Sequence, residues 1–262
     1  MDCQKNSLIV NNLNVTLRDC NHTSHHIVNK LSLCVPKASI VALVGQSGCG
    51  KTLTSLAIMN LLNANAQVTG EIFCNGTAIH ALSARQRAAY NGSMFGMIFQ
   101  DPLEALDPLF TIKQQMWEGL RRHRRISKHD GLRIITEGLL SVNFQNPAAI
   151  LNKYPHELSG GMCQRVMIAS VLVQDVQFLI ADEPTTALDV TIQKQILIQL
   201  HRLSRQKNIG ILFITHDLGA VAEIADYVYV MRKGSILEEG DVFSIFDKPQ
   251  HSYTQHLISQ KV

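Results

Sequence analysis

Eight consecutive residues, Gly45-Gln46-Ser47-Gly48-Cys49-Gly50-Lys51-Thr52, follow the pattern G-x-x-x-x-G-K-[ST] in full. Glycines at this spacing let backbone N–H groups turn inward around a phosphate, and a helix starting beside them points its positive end at the same anion. Lys51 would reach the outer phosphates of a nucleotide, and the Thr52 hydroxyl would bind Mg²⁺. A second run, Phe178-Leu179-Ile180-Ala181-Asp182-Glu183, ends on two carboxylates. Asp182 suits the same metal, and Glu183 suits a general base or a group that positions the attacking water. Together the two segments describe transfer or hydrolysis of a nucleotide's outer phosphate, a pattern that several classes of nucleotide-using enzyme share, so the remaining segments must decide among them.

Such groups need rigid elements behind them. The apolar run 39–45 ends in glycine and predicts a buried strand before the loop, and 51–62 predicts a buried helix after it. Short apolar runs at 94–99, 178–181 and 210–215 have the pattern of a mainly parallel sheet covered on both faces. Segments 8–17 and 27–35 alternate apolar and polar residues, which predicts antiparallel strands of an edge sheet. From about 101 to 158 no strand-like run occurs, and 111–125 and 131–142 predict helices of an inserted subdomain. The longest apolar runs, 166–173 and 209–215, have the length of a buried helix segment and a buried strand, short of the roughly 20 residues that cross a bilayer.

Composition narrows the class. The chain has 262 residues, 46% hydrophobic and 17% charged, which excludes a disordered or collagen-like protein. The net charge of +3 is too small to make nucleic acid the main partner. Six cysteines (Cys3, Cys20, Cys34, Cys49, Cys74 and Cys163) show no Cys-x-x-Cys pair or zinc spacing, and are expected to be reduced in a cytosolic protein. The eleven histidines are scattered and read as surface residues without a ligand role. The basic run Arg121-Arg122-His123-Arg124-Arg125 reads as a solvated helix face, with anionic lipid or an acidic loop of a membrane partner as the alternative.

Leu158-Ser159-Gly160-Gly161-Met162, followed by Cys163-Gln164-Arg165 and an apolar helix, resembles the signature motif of ATP-binding cassette (ABC) proteins. Ser159 and the amides of Gly160 and Gly161 at a helix start form a second anion site. The resemblance implies that its phosphate belongs to ATP on an opposite subunit. Ala187-Leu188-Asp189 resembles the D-loop, with Asp189 facing the partner's site. Gln100, after Met97-Ile98-Phe99, resembles the Q-loop glutamine, which contacts metal or water. His216, after Leu212-Phe213-Ile214-Thr215, resembles the switch histidine, which contacts the γ-phosphate. The resemblance covers nearly the whole chain. It implies a single α/β ABC ATPase domain over 1–262: a P-loop NTPase core at 1–100 and 175–262 with an N-terminal antiparallel β subdomain, and an inserted helical subdomain at 101–174. It also implies ATP and Mg²⁺ as ligands. One feature departs from the family: residues 1–72 hold no Phe, Tyr or Trp to stack on adenine, which leaves Arg18, His25 and His26 as candidates for that contact.

Gln100-Asp101-Pro102-Leu103-Glu104-Ala105-Leu106-Asp107-Pro108 resembles the QDPxxxLNP run of peptide and nickel importers, with Asp107 in place of Asn. Tyr154-Pro155-His156-Glu157-Leu158, the run from Asp182 to Asp189, and the tail Pro249-Gln250-His251-Ser252-Tyr253-Thr254 are similar to the same branch. That branch implies a peripheral subunit on the cytoplasmic face of the cell membrane, paired with a second, related ATPase beneath two integral membrane permeases. An extracytoplasmic solute-binding protein feeds the system. Peptide-type members usually continue for some tens of residues, so the length of this chain favours nickel or a metal chelate as the cargo. The alternative is a dipeptide or oligopeptide importer.

Overall fold

The computed structural model describes residues 6–19, 23–186 and 188–259. Among these, two sheets form the frame. Strands β1 (Ser7–Arg18), β2 (Ser24–Pro36), β4 (Ala66–Cys74) and β5 (Thr77–Ala78) make an antiparallel sheet in the order β2-β1-β4-β5. Strands β3 (Ile40–Val44), β6 (Phe95–Ile98), β7 (Phe178–Asp182), β8 (Gly210–Thr215), β9 (Tyr227–Arg232) and β10 (Ser235–Asp241) make the second, in the order β10-β9-β3-β8-β7-β6. All neighbours there run parallel except β10, which returns antiparallel beside β9.

The side-chain period of two divides each central strand between two cores. Ile40, Ala42, Val44, Leu179, Ala181, Ile211 and Phe213 face the helical side, whereas Val41, Leu43, Phe178, Ile180, Leu212 and Ile214 face the antiparallel sheet. Both faces are therefore apolar, which explains why these strands read as continuous runs in the sequence.

Helix α1 (Lys51–Met59) follows the loop after β3 and ends where Asn60 turns left-handed (φ 56°). Buried Arg87, on α2 (Ala84–Tyr90), donates to the carbonyls of Ala57 and Ile58 at 3.2 and 2.8 Å, and so satisfies the end of α1. Between β6 and β7 lie only helices: α3 (Pro102–Ala105), α4 (Ile112–His123), α5 (Lys128–Ser141), α6 (Pro147–Leu151) and α7 (Gly160–Leu172), with a short 3₁₀ turn at Pro155–Glu157. Helix α5 packs through Gly131 and Gly138; a Cβ there would lie 2.2 Å from Trp117 and 2.3 Å from Val173. Helices α8 (Val190–Lys207), α9 (Leu218–Ile224), α10 (Val242–Asp247) and α11 (Ser252–Ser259) are the remaining helices among the described residues.

Helices α4 and α5 match the expectations for 111–125 and 131–142 within a few residues, and α1 stops three residues short of 62. One sequence reading is corrected. Cys34 is disulfide-bonded, whereas Cys49, Cys74 and Cys163 are free, so the expectation that all six cysteines are reduced fails at Cys34. Cys3 and Cys20 lie outside the described residues. Among the described residues no helix is long and apolar enough to cross a membrane.

Candidate active site

The loop from Gly45 to Gly50 leaves the carboxyl end of β3 and enters α1 at Lys51. Gly45 is required by close approach: a Cβ there would sit 2.2 Å from the Met231 carbonyl oxygen of β9. Gly50, at φ 109°, holds a conformation that side chains with a Cβ rarely adopt. Lys51 is buried, and its ammonium donates to the carbonyls of Gly45 at 2.8 Å and Gln46 at 3.1 Å, within the loop itself. The buried Cys49 thiol lies 3.9 Å from the same ammonium, and burial pushes its pKa up.

Strands β6, β7 and β8 bring the other groups to the same edge of the sheet. Asp182 ends β7, 1% exposed, and accepts from the Ser55 hydroxyl at 3.3 Å, with the Thr52 hydroxyl also near its carboxylate. Burial pushes its carboxyl pKa up against the opposing pull of those two hydroxyls. Its Oδ1 is buried without a hydrogen-bond partner. An orphaned carboxylate oxygen beside two hydroxyls is a hard, all-oxygen donor set, which fits Mg²⁺. Glu183 follows in a left-handed conformation, φ 46°, fixed by its N–H donating to the Ile214 carbonyl at 2.8 Å. That turn carries its carboxylate to His216, just past β8, where Nδ1 and Oε1 are 2.9 Å apart. Gln100, exposed after β6, lines a cavity of about 150 Å³ with Ser47, Lys51, Thr52 and Glu183. Lys51, Thr52, Asp182, Glu183, His216 and Gln100 are thus gathered at one place. Such a constellation can hold a polyphosphate and a metal and can remove a proton from water.

The signature residues lie elsewhere. Ser159 caps α7, accepting from the Met162 N–H at 3.3 Å, and Gly160 beside it is exposed. Gly160 lines a larger cavity, about 750 Å³, which extends to Thr52, Gln100 and Asp182. Asp189 caps α8 by accepting from the Ile192 N–H at 3.0 Å; Ala187 lies outside the described residues. Asp107 accepts from the Leu109 N–H at 2.9 Å, a turn for which an aspartate or asparagine oxygen serves equally. Of the candidates for adenine, Arg18, His25 and His26 are exposed; His25 turns to Asp19 and His26 to Thr16, while Ile27 lines the smaller cavity.

Two residues escaped the sequence reading. Ser55 stands one turn after Lys51, and the i, i+4 spacing was the available signal. Gln164, 1% exposed in α7, donates to the Pro184 carbonyl at 2.9 Å and so ties the signature helix to the turn that carries Glu183. A polar residue inside an otherwise apolar helix was its signal.

The ABC transporter family profile matches residues 28–186. The chain is 44% identical over 229 residues to the oligopeptide transport ATP-binding protein OppD of Lactococcus lactis, covering 87% of this chain and 68% of that one. It is 46% identical to the peptidoglycan transport ATP-binding protein YejF of Agrobacterium fabrum (88% and 43% covered) and 41% identical to the glutathione import ATP-binding protein GsiA of Escherichia coli (97% and 42%). Among solved structures, an ATP-binding cassette dimer in a post-hydrolysis state with ADP and Pi has a TM-score of 0.82 at 23% identity, covering 90% of this chain and 98% of that one, and shares the fold. A Clostridium perfringens cassette that is part of the ABC transporter complex cbiONQ has a TM-score of 0.74 at 25% identity, with 92% and 90% covered. Fold, family match and sequence relatives agree, and the chain belongs to the ABC transporter family as an ATP-binding subunit that hydrolyses ATP.

Proposed function

We propose that this subunit powers an importer of short peptides. The observation that carries the reading is the identity, above 40%, to relatives named for oligopeptide, peptidoglycan and glutathione transport. The expectation of nickel or a metal chelate rested on chain length alone, and these names favour the peptide alternative. The partners in this reading are two membrane permeases, a second related ATPase and an extracytoplasmic solute-binding protein, with the chain on the cytoplasmic face of the membrane. Residues 1–262 act as one ATPase domain, with 1–100 and 175–262 as its core and 101–174 as its helical subdomain.

In this proposal the amides of residues 45–52 cradle the β- and γ-phosphates, and Lys51 leaves its loop carbonyls to meet them. Thr52, Asp182 and Gln100 hold Mg²⁺, which supplies charge neutralisation on the phosphates. Glu183 accepts the proton of the attacking water, and His216, hydrogen-bonded to it, fixes the carboxylate and reaches the γ-phosphate. Ser159, Gly160, Gly161 and Asp189 serve the nucleotide of a partner cassette.

Deleting the coding sequence and measuring uptake of labelled dipeptides, oligopeptides and Ni²⁺ tests the cargo. Loss of peptide uptake, restored by the wild-type chain and not by Lys51→Ala, is the expected result. Intact peptide uptake with loss of Ni²⁺ uptake would return the reading to nickel.

A further inference from the structure

We propose that the tail segment 249–254 is a latch on the phosphate loop, with Tyr253 as a positioning residue for the nucleotide. The proposal rests on the phosphate-loop reading above and assigns it a part that lies 207 residues away in sequence. Tyr253, on α11, is 5% exposed, and its hydroxyl accepts the Gln46 N–H at 3.2 Å. That N–H belongs to the same planar peptide unit as the Gly45 carbonyl, which accepts from the Lys51 ammonium at 2.8 Å. The two groups of a trans peptide point opposite ways, so Tyr253 holds one edge of the plane and Lys51 the other. When Lys51 turns to a phosphate, Tyr253 remains as the fixed partner.

Two contacts hold the tyrosine itself, and Glu238 anchors the residues before it. The Arg232 guanidinium lies 4.7 Å from its ring centroid, at the end of the strand whose Met231 carbonyl lies against Gly45. Its N–H donates to His251 Nδ1 at 3.0 Å, just before α11 begins. Glu238 on β10 accepts from the N–H groups of Gln250 and His251 at 2.6 and 3.0 Å, and so pins the tail to the sheet. The backbone of 250–253 is thereby anchored to β10 and His251, which places the tyrosine hydroxyl beside the loop.

Tyr253→Phe keeps the ring and its contact with Arg232 and removes only the acceptor. Full-length wild type, Tyr253→Phe and Lys51→Ala are titrated with ATP in excess EDTA, at a temperature where thermal scans show all three folded. The latch predicts a rise in Kd of about three- to tenfold for Tyr253→Phe, the scale of one hydrogen bond. In the assembled transporter KM for ATP rises by a similar factor while kcat stays at the wild-type value. A wild-type Kd in Tyr253→Phe, with binding abolished in Lys51→Ala, overturns the latch alone. Wild-type affinity in Lys51→Ala overturns the phosphate-loop reading and the latch with it.

Discussion

His216 Nδ1 stands 2.9 Å from Glu183 Oε1, and the left-handed turn at Glu183 is what brings them together. Glu183 is mostly buried yet lines the small cavity beside Lys51 and Thr52, whereas His216 is half exposed. Groups joined this way act as a unit.

Glu183→Gln is therefore expected to lower kcat in the assembled transporter by about 10²–10⁴-fold, with ATP still bound. His216→Ala lowers it less, and the double variant is no slower than Glu183→Gln alone. Steady-state hydrolysis of the three proteins, beside ATP retention on a filter, checks this; multiplied losses in the double variant would show that the two act independently.

Asp182 yields a prediction of the opposite kind, in which activity and stability separate. Burial raises its pKa in the folded chain, so the fold binds more protons than the unfolded chain between the ordinary carboxylate value of 3.8 and the raised one. Nucleotide-free stability falls as pH rises through that interval and stays low above it. Asp182→Asn should melt higher than wild type at neutral pH without nucleotide, and should lose the further stabilisation that MgATP gives wild type. Thermal unfolding with and without MgATP, at several pH values, measures both effects.

Gln164→Leu removes the bond to the Pro184 carbonyl while keeping side-chain volume. Stranding a buried carbonyl costs about 1–3 kcal/mol, offset in part because Gln164 Oε1, buried without a partner, is removed as well. Denaturant unfolding should show that loss, and kcat should fall more than ATP affinity because the turn carrying Glu183 is loosened while the phosphate loop is untouched.

Much of this arrangement was legible in the sequence. The loop 45–52 and the strand ending at Asp182 are local patterns, and both faces of β3, β7 and β8 are apolar, which made those strands continuous runs. Strand β4 was not legible, because most of its residues are exposed and it is held by pairing with β1. The contact between Tyr253 and Gln46 was hidden for another reason: a single hydrogen bond between distant segments leaves no periodicity. The left-handed turn at Glu183 is set by its bond to the Ile214 carbonyl, again across strands. The Cys34 disulfide could not be read from spacing alone.

The glycines of α5 allow a test of the helical packing. Alanine at Gly131 gains about 1 kcal/mol of helix propensity, but its Cβ would meet Trp117 at 2.2 Å, and overpacking of this kind costs about 1–3 kcal/mol. A contact that short puts the strain at the upper end. Gly131→Ala should therefore lose about 1–2 kcal/mol in denaturant unfolding, and adding Trp117→Leu should recover part of the loss.

The ammonium of Lys51 rests on two carbonyls of its own loop. Any anion that draws it away must replace both bonds and the dry surroundings of a buried charge. A chain of phosphates can meet the lysine, the loop amides and the helix end at once. The loop thus solvates its own lysine, and the number of contacts a ligand offers, more than its charge alone, sets whether it can take the place of the two carbonyls.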